Sequence, residues 1–154
     1  MPFLGTMPSL RALPALLAAL LLASCATLRA YPGAPLPASQ VACLRPAVMP
    51  SRLILLDDVD GSALGWLHDR AELLPGEHVA RVTVLLKGRE RELAFTHELR
   101  FTAQAGRNYL VYAEVDPYGP RTFILDDVAG SMVAEAVGAP ERLTERPSLA
   151  RGAR

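Results

Sequence analysis

The clearest alternation of apolar and polar positions runs from Arg91 to Ala103. Its large apolar residues, among them Leu93, Phe95 and Leu99, fall on one side of an extended chain, and the charged and hydroxyl residues fall on the other. A period of two residues is typical of a β-strand with one buried and one solvated face. We therefore predict a strand over 91–103 whose apolar side joins a core.

Short apolar runs separated by turn residues fill the chain from Gln40 to Val137. Asp60-Gly61 lies between two such runs, and this pair is a strong hairpin signal because both residues tolerate a positive φ. The Leu-Pro-Gly-Glu segment at 74–77 has the proline and glycine of a type II turn. We predict an all-β fold, an antiparallel β-sandwich or partly open barrel of about seven or eight short strands. The predicted strands cover 40–44, 52–57, 79–86, 91–103, 109–115, 121–125 and 132–137.

The first residues carry a different pattern. Arg11 precedes an apolar run from Leu13 to Ala23, and Ser24 and Cys25 follow this run. A basic residue, an apolar stretch of ~7–15 residues and small residues before a cleavage point make up a secretory signal peptide. The run is shorter than the ~20 residues that a transmembrane helix needs. We predict that residues 1–24 are a signal peptide cleaved between Ser24 and Cys25.

The end of this segment, Leu22-Ala23-Ser24-Cys25, resembles the lipobox of bacterial lipoproteins. In that family the cysteine carries a diacylglycerol thioether, so the resemblance implies that Cys25 is the acylated first residue of the mature protein. Each buried methylene contributes ~0.8 kcal/mol, so two or three acyl chains hold a protein on a bilayer. Ala26 rather than an aspartate follows the cysteine, which by the same analogy favours the outer membrane over the inner membrane. The alternative is an ordinary signal peptide in which Cys25 occurs by chance.

Two segments outside the predicted strands lack periodicity. Residues 25–39 contain three prolines and few large apolar residues, so we predict the lipidated N-terminus and a flexible linker there. Residues 138–154 contain four arginines and two glutamates. We predict a disordered, solvated tail, with contact to acidic lipid or lipopolysaccharide as the alternative. The β-sandwich domain is thereby bounded at 40–137.

Composition narrows the function classes. The chain has 16 basic and 16 acidic residues and a formal net charge of zero, which argues against a nucleic-acid partner. With Cys25 acylated, Cys43 has no cysteine left to pair with. Because Cys43 lies in a predicted strand, we expect a buried and inert thiol rather than a reactive one.

The segments 57–61 and 73–79, together with the strand that follows, resemble PEGA-type β-sandwich repeats and related small envelope lipoproteins of proteobacteria. Those repeats have a valine-aspartate-glycine turn and then a proline-glycine-x-histidine turn that leads into a strand. The resemblance covers roughly residues 50–105. It departs from the repeat after Gly65, where Trp66 and Leu67 stand in place of a Gly-x-x-Pro pattern. The resemblance implies an accessory module of the envelope rather than an enzyme.

Groups that could carry catalysis or bind a metal are sparse. No two of the three histidines, His68, His78 and His97, have a spacing that would fix a metal on one face. We expect His97 in the core and His78 bonded to the turn before it. The acidic residues at 57–60 lack the later glutamate of a calcium loop, so we expect a structural turn. We predict no catalytic residue, no metal site and no cofactor.

Two aromatic residues are candidate contacts for a ligand or a partner. Trp66, the only tryptophan, lies in a predicted loop, and Tyr118 lies at a predicted hairpin tip. An exposed ring can stack on a sugar or anchor a protein partner, whereas a buried Trp66 would cap the core. We expect a bilayer-anchored, non-enzymatic interaction or assembly module with an envelope protein partner. The alternatives are a module that binds cell-wall or surface glycan and, third, an envelope hydrolase.

Overall fold

The computed structural model describes residues 26–65, 68–87, 92–116 and 119–137. The predicted signal peptide and the predicted tail lie outside these residues. Within the described ranges no helix has the length and hydropathy needed to cross a membrane. These residues form ten strands: β1 (Ala26–Arg29), β2 (Ala42–Pro46), β3 (Arg52–Val59), β4 (Ser62–Ala63), β5 (His68–Leu73), β6 (Gly76–Lys87), β7 (Glu92–Ala103), β8 (Asn108–Asp116), β9 (Gly119–Asp126) and β10 (Met132–Val137).

The strands are arranged in two sheets. Sheet A has the order β1-β5-β2-β8-β9-β10, and sheet B has the order β4-β3-β6-β7. Most neighbours are antiparallel, but β1 with β5 and β2 with β8 are parallel pairs. The predicted all-β sandwich is confirmed, and the two parallel pairs refine it. Parallel neighbours are never joined by a tight turn, so the turn signals in the sequence could not reveal them.

The core lies between the facing sides of the two sheets. On β7 the predicted alternation is confirmed, since Phe95, Leu99 and Phe101 are buried while Glu98 and Arg100 are exposed. Burying a side chain of this size stabilises the fold by roughly 1.5–3 kcal/mol. Across the core, sheet A supplies further buried residues, including Leu44, Ala71, Tyr109 and Ile124.

All strands run along one axis of the sandwich, and we name the two ends of this axis the proximal and the distal end. The pairings and the short connections 47–51, 74–75 and 104–107 fix the strand directions. Strands β1, β3, β5, β7 and β9 begin at the proximal end, and β2, β4, β6, β8 and β10 begin at the distal end. Ala26 at the start of β1 and Val137 at the end of β10 therefore both lie at the proximal end.

Strand β1 lies inside the range 25–39 that the sequence predicts to be a flexible linker. Ala26–Arg29 pairs with β5, and Leu28 packs against the core. Beyond β1, Tyr31 is buried and its hydroxyl accepts a hydrogen bond from the amide of Leu36 at 3.3 Å. Flexibility was thus the wrong expectation for Ala26–Arg29, which is held on the edge of sheet A. A four-residue edge strand is too short to show a periodic pattern.

Candidate functional site

The two long sides of the sandwich differ in how they are closed. On one side, β9 and β10 of sheet A lie against β7 of sheet B. On the other side, a cleft of about 830 Å³ opens between β3 and the region where β2 and β5 diverge. This volume falls in the range of roughly 300–1,000 Å³ that is typical of binding sites. The cleft is lined by residues 45–49, 52–57 and 68–70 together with Ala63 and Gly65.

Strand β3 forms one wall of the cleft with an edge that is largely unpaired. It pairs with β6 along its length on one side. On the other side, β4 pairs only with Asp58 and Val59, and an isolated bridge joins Arg52 to Met49. Among the described residues, positions 53–56 therefore have no strand partner on the cleft side. We call these four residues the open edge; at ~3.3 Å per residue it is about 13 Å long.

The open edge is apolar on both faces. Ile54 and Leu56 are buried in the core, whereas Leu53 and Leu55 point outward with exposed fractions of 54% and 38%. Edge strands are usually shielded by lysine, proline, a bulge or a covering loop, because unpaired backbone groups recruit other strands. Here the outward side chains are leucines, so the open edge combines free backbone hydrogen-bonding groups with apolar contact surface.

A β-bulge at Asp57 ends the open edge. The register with β6 shifts between Leu56 and Asp58, which leaves Asp57 as the extra residue. The hydroxyl of Thr83 donates a hydrogen bond of 2.7 Å to the Asp57 carboxylate. Burial raises the pKa of Asp57, and this outweighs the hydrogen bond from Thr83, which lowers it. The cleft thus holds a carboxyl group that gains a proton more readily than an exposed aspartate does.

The opposite wall is charged and comes from the start of β5. Arg70 lies 3.2 Å from the carboxylate of Asp69, and the ring of His68 is hydrogen-bonded to the carbonyl of Leu64. On the β3 side, the guanidinium of Arg52 donates to the carbonyl of Ala113. The cleft therefore sets an apolar strip along β3 against a charged strip along β5.

The cleft also bears on the hydrolase alternative. Asp57 and Asp69 both line it, as a pair of catalytic carboxylates would. Each is held by a neighbour, Asp57 by the hydroxyl of Thr83 and Asp69 by the guanidinium of Arg70. A serine or cysteine nucleophile is activated by a neighbouring base, and the described residues that line the cleft include neither serine nor cysteine.

The other two histidines also have structural partners. The His78 ring is hydrogen-bonded to the Leu74 carbonyl at 2.7 Å, as expected for a residue that bonds to its turn. His97 is buried in the core as expected, with Nδ1 2.8 Å from the Thr122 hydroxyl, and burial lowers its pKa. Within the described part of the chain, no three His, Cys, Asp or Glu residues cluster as a metal site would.

The predicted site residues Ser24, Cys25, Trp66 and Tyr118 lie outside the described residues, so only their chain neighbours are placed. Ala26, which follows Cys25, starts β1 at the proximal end. The residues that flank positions 66–67, Gly65 and His68, both line the cleft. Tyr118 directly precedes β9, which also starts at the proximal end.

The open edge was missed by sequence reasoning, which recognised the strand but not its missing neighbour. Leu53 to Leu56 is a continuous apolar run, and such a run does not show which side of a strand lacks a partner. In comparisons with known proteins, the chain matches no family model, no curated protein and no solved structure. The lipobox and PEGA-type resemblances therefore stay predictions.

Proposed function

We propose that this protein is a lipid-anchored envelope module that binds an extended segment of a partner protein along the open edge of β3. The observation that carries the proposal is the open edge itself, four residues without a strand partner among the described residues, lining a cleft. An extended peptide joins such an edge as an additional strand. Backbone hydrogen bonds then supply affinity, and alternate side chains supply specificity.

The two walls of the cleft define the partner segment. Side chains on an added strand point alternately to opposite faces. One set would meet Leu53 and Leu55, and the other set would face the charged start of β5, where Asp69 and Arg70 lie. A segment of about four residues that alternates apolar and charged side chains fits this arrangement.

The anchor in this proposal is the acylated thiol of Cys25. Its support is the signal-peptide pattern and the lipobox resemblance at 22–25. Mass spectrometry of the mature N-terminal peptide tests it, with a diacylglycerol thioether on Cys25 expected. The Cys25→Ser chain should stay in the aqueous phase on detergent partition, whereas the native chain should enter the detergent phase. If the native chain stays in the aqueous phase, the protein has no lipid anchor, and that part of the proposal is refuted.

Partner binding is tested by photo-crosslinking in the native envelope, with a photoreactive residue at position 53 or at position 85. Leu85 is a matched control, because it is 37% exposed and is the β6 residue paired with Leu53, but it does not line the cleft. We expect a discrete crosslinked protein from position 53 and none from position 85. Leu53→Lys should abolish crosslinking from position 55, and Leu85→Lys should not. Equal products from both positions, or none from position 53, would refute the proposal.

Glycan binding is the second candidate, because charged groups line the cleft and both chain neighbours of the 66–67 segment lie in it. Polar side chains with a nearby aromatic ring suit a sugar ligand. Retention of the protein on purified cell-wall glycan, lost in Trp66→Ala and kept in Leu53→Lys, would favour this function. Saccharide in the crosslinked product from position 53, without protein, would do the same.

A further inference from the structure

We infer that the partner segment carries a lysine or arginine opposite Leu55, and that Asp57 selects this residue by binding its cation. This inference rests on the proposed function, in which the partner joins the open edge as an added strand. It assigns one charged position of the partner and one specificity-determining residue of the cleft. Three features of the described residues support it: the face on which Asp57 lies, the lack of a cation at its carboxylate, and the end of the open edge beside it.

The first feature is that Asp57 lies on the same face of sheet B as the outward leucines of the open edge. The Thr83 hydroxyl that donates to its carboxylate belongs to the β6 residue paired with Leu55. The neighbours of Thr83 on β6, Val82 and Val84, are buried in the core, so Thr83 points outward. One face of an added strand would therefore meet the two outward leucines and then the carboxylate.

The second feature is that the Asp57 carboxylate has no ion-pair partner among the described residues. It receives one hydrogen bond there, from Thr83, although a carboxylate can accept about four. The guanidinium groups around it are engaged elsewhere: Arg81 with Asp58, Arg70 with Asp69, and Arg52 with the carbonyl of Ala113. Burial outweighs the smaller, opposite effect of Arg81 on the Asp57 pKa, which stays raised. The cleft thus presents a carboxylate that a cation of the partner can complement.

The third feature is that the added strand has to end beside Asp57. The Asp57 carbonyl accepts the amide of Leu64 at 2.9 Å, so the backbone edge is already occupied there. The side chain opposite Leu55 is then the diagonal neighbour of Asp57, at a separation of roughly 7–8 Å. Lysine and arginine span this distance, and their methylene groups would cover the exposed part of Leu55. A basic residue therefore fits this position, whereas a short polar side chain would not reach the carboxylate.

A segment without this basic residue would bind poorly. An added strand takes water away from the Asp57 carboxylate, and a buried carboxylate without a counter-ion is unfavourable. A cation on the partner offsets this cost, so the carboxylate discriminates between segments of similar shape. The fold itself gains nothing from the charge, because burial raises the pKa of Asp57 and so disfavours the charged form.

The test repeats the photo-crosslinking from position 53 of the full chain in the native envelope and compares two substitutions. Asp57→Asn removes the charge but keeps the shape and an acceptor for the Thr83 hydroxyl. Glu98→Gln is the matched control, because Glu98 lies exposed on the same face of sheet B, pairs with Arg100 and does not line the cleft. We expect Asp57→Asn to lower the yield of crosslinked protein at least about tenfold, and Glu98→Gln to change it less than about twofold.

The crosslinked peptide supplies a measurement on the partner's side. After digestion with chymotrypsin, which leaves lysine and arginine uncut, mass spectrometry should find a basic residue two positions from the crosslinked one. Replacing this residue of the partner by glutamine should lower the yield at least about tenfold with the native chain. With Asp57→Asn the same replacement should lower it less than about twofold, because the two groups act as one pair. A crosslinked peptide without a basic residue at that position would overturn the inference.

These measurements separate failure of this inference from failure of the proposed function. If the native chain gives no crosslinked protein from position 53, the proposed function is refuted, and this inference falls with it. If the native chain gives one and its yield is unchanged in Asp57→Asn, the open edge remains the binding site and only the role of Asp57 is overturned. If Asp57→Asn does not fold, the glutamine replacement in the partner still decides, since an unchanged yield with the native chain would overturn the inference.

Discussion

A hydrogen bond between His78 and Asp60 links two turns of the distal end, with Nδ1 of the ring 2.6 Å from Oδ2 of the carboxylate. The other ring nitrogen lies 2.7 Å from the carbonyl of Leu74, and Oδ1 of Asp60 accepts the amide of Val79 at 2.9 Å. Both ring nitrogens thus face oxygen atoms. The pair links the β3–β4 hairpin to the turn between β5 and β6.

Asp60→Ala should destabilise the fold by about 1–3 kcal/mol, because it removes two hydrogen bonds at a residue with positive φ. Asp60→Asn is the control, since asparagine tolerates this φ and keeps an acceptor for Val79. Denaturant unfolding of the full chain gives the free energies. An alanine variant as stable as the native chain would show that the link between the turns contributes nothing.

Asp57→Asn should stabilise the protein at pH 7. Burial raises the pKa of Asp57 in the folded state above its ordinary value of 3.8, so the folded state binds the proton more tightly than the unfolded chain does. The stability that protonated Asp57 contributes is fully present at a pH below the ordinary pKa. It is lost as the pH rises through the raised pKa of the folded state.

Thermal unfolding at two pH values checks this prediction for Asp57. Asparagine carries no charge and can still accept the Thr83 hydroxyl, so the variant should melt at a higher temperature than the native chain at pH 7. The two should melt closer together at pH 3, where the aspartate is protonated. A lower melting temperature for the variant at pH 7 would contradict the prediction.

His97→Gln should make the fold less sensitive to acid. Burial lowers the pKa of His97, and its Nε2 has no hydrogen-bond partner among the described residues. Stability associated with neutral His97 is present above the ordinary pKa of 6.5 and is lost as the pH falls through the lowered pKa of the folded state. The melting temperature of the native chain should therefore drop more between pH 7 and pH 5 than that of the glutamine variant. If the melting temperatures of the native chain and the glutamine variant fall equally between pH 7 and pH 5, His97 is not the group that causes the sensitivity to acid.

Cys43 should react slowly with a thiol reagent at neutral pH. It is half-buried on β2, and burial raises the pKa of its thiol, with smaller opposing effects from Arg70 and Arg45. Because the thiolate is the reactive form, we expect modification at least about tenfold slower than in the denatured chain. The Cys25→Ser chain makes Cys43 the only thiol, and equal rates in folded and denatured chain would contradict the expectation.

The sequence predicted those parts of the fold that local chemistry determines. The alternation in β7 identified a half-buried strand, because side chains two residues apart share a face. The Asp60-Gly61 pair identified a hairpin, and these residues have φ values of 52° and 77°. Each signal is contained in a few consecutive residues, so one sequence is enough to recognise it.

The cleft could not be predicted, because it depends on which strands are neighbours. The open edge exists because β4 pairs with only two residues of β3, and the cleft opens beside it because β2 pairs with β5 over only three residues. Both depend on contacts between segments distant along the chain, which no local pattern specifies. Strand β1 was missed for the same reason, because its neighbour β5 follows it by about forty residues.

The pairing of β1 also decides how the domain would withstand being pulled from its anchor. With Cys25 acylated, a force on the acyl chains enters at Ala26 and runs along β1, whose only neighbour among the described strands is β5. Such a force loads the backbone hydrogen bonds between these strands in shear, so that they resist together instead of unzipping in turn. The mechanical strength of the attachment would then be set by a ladder four residues long.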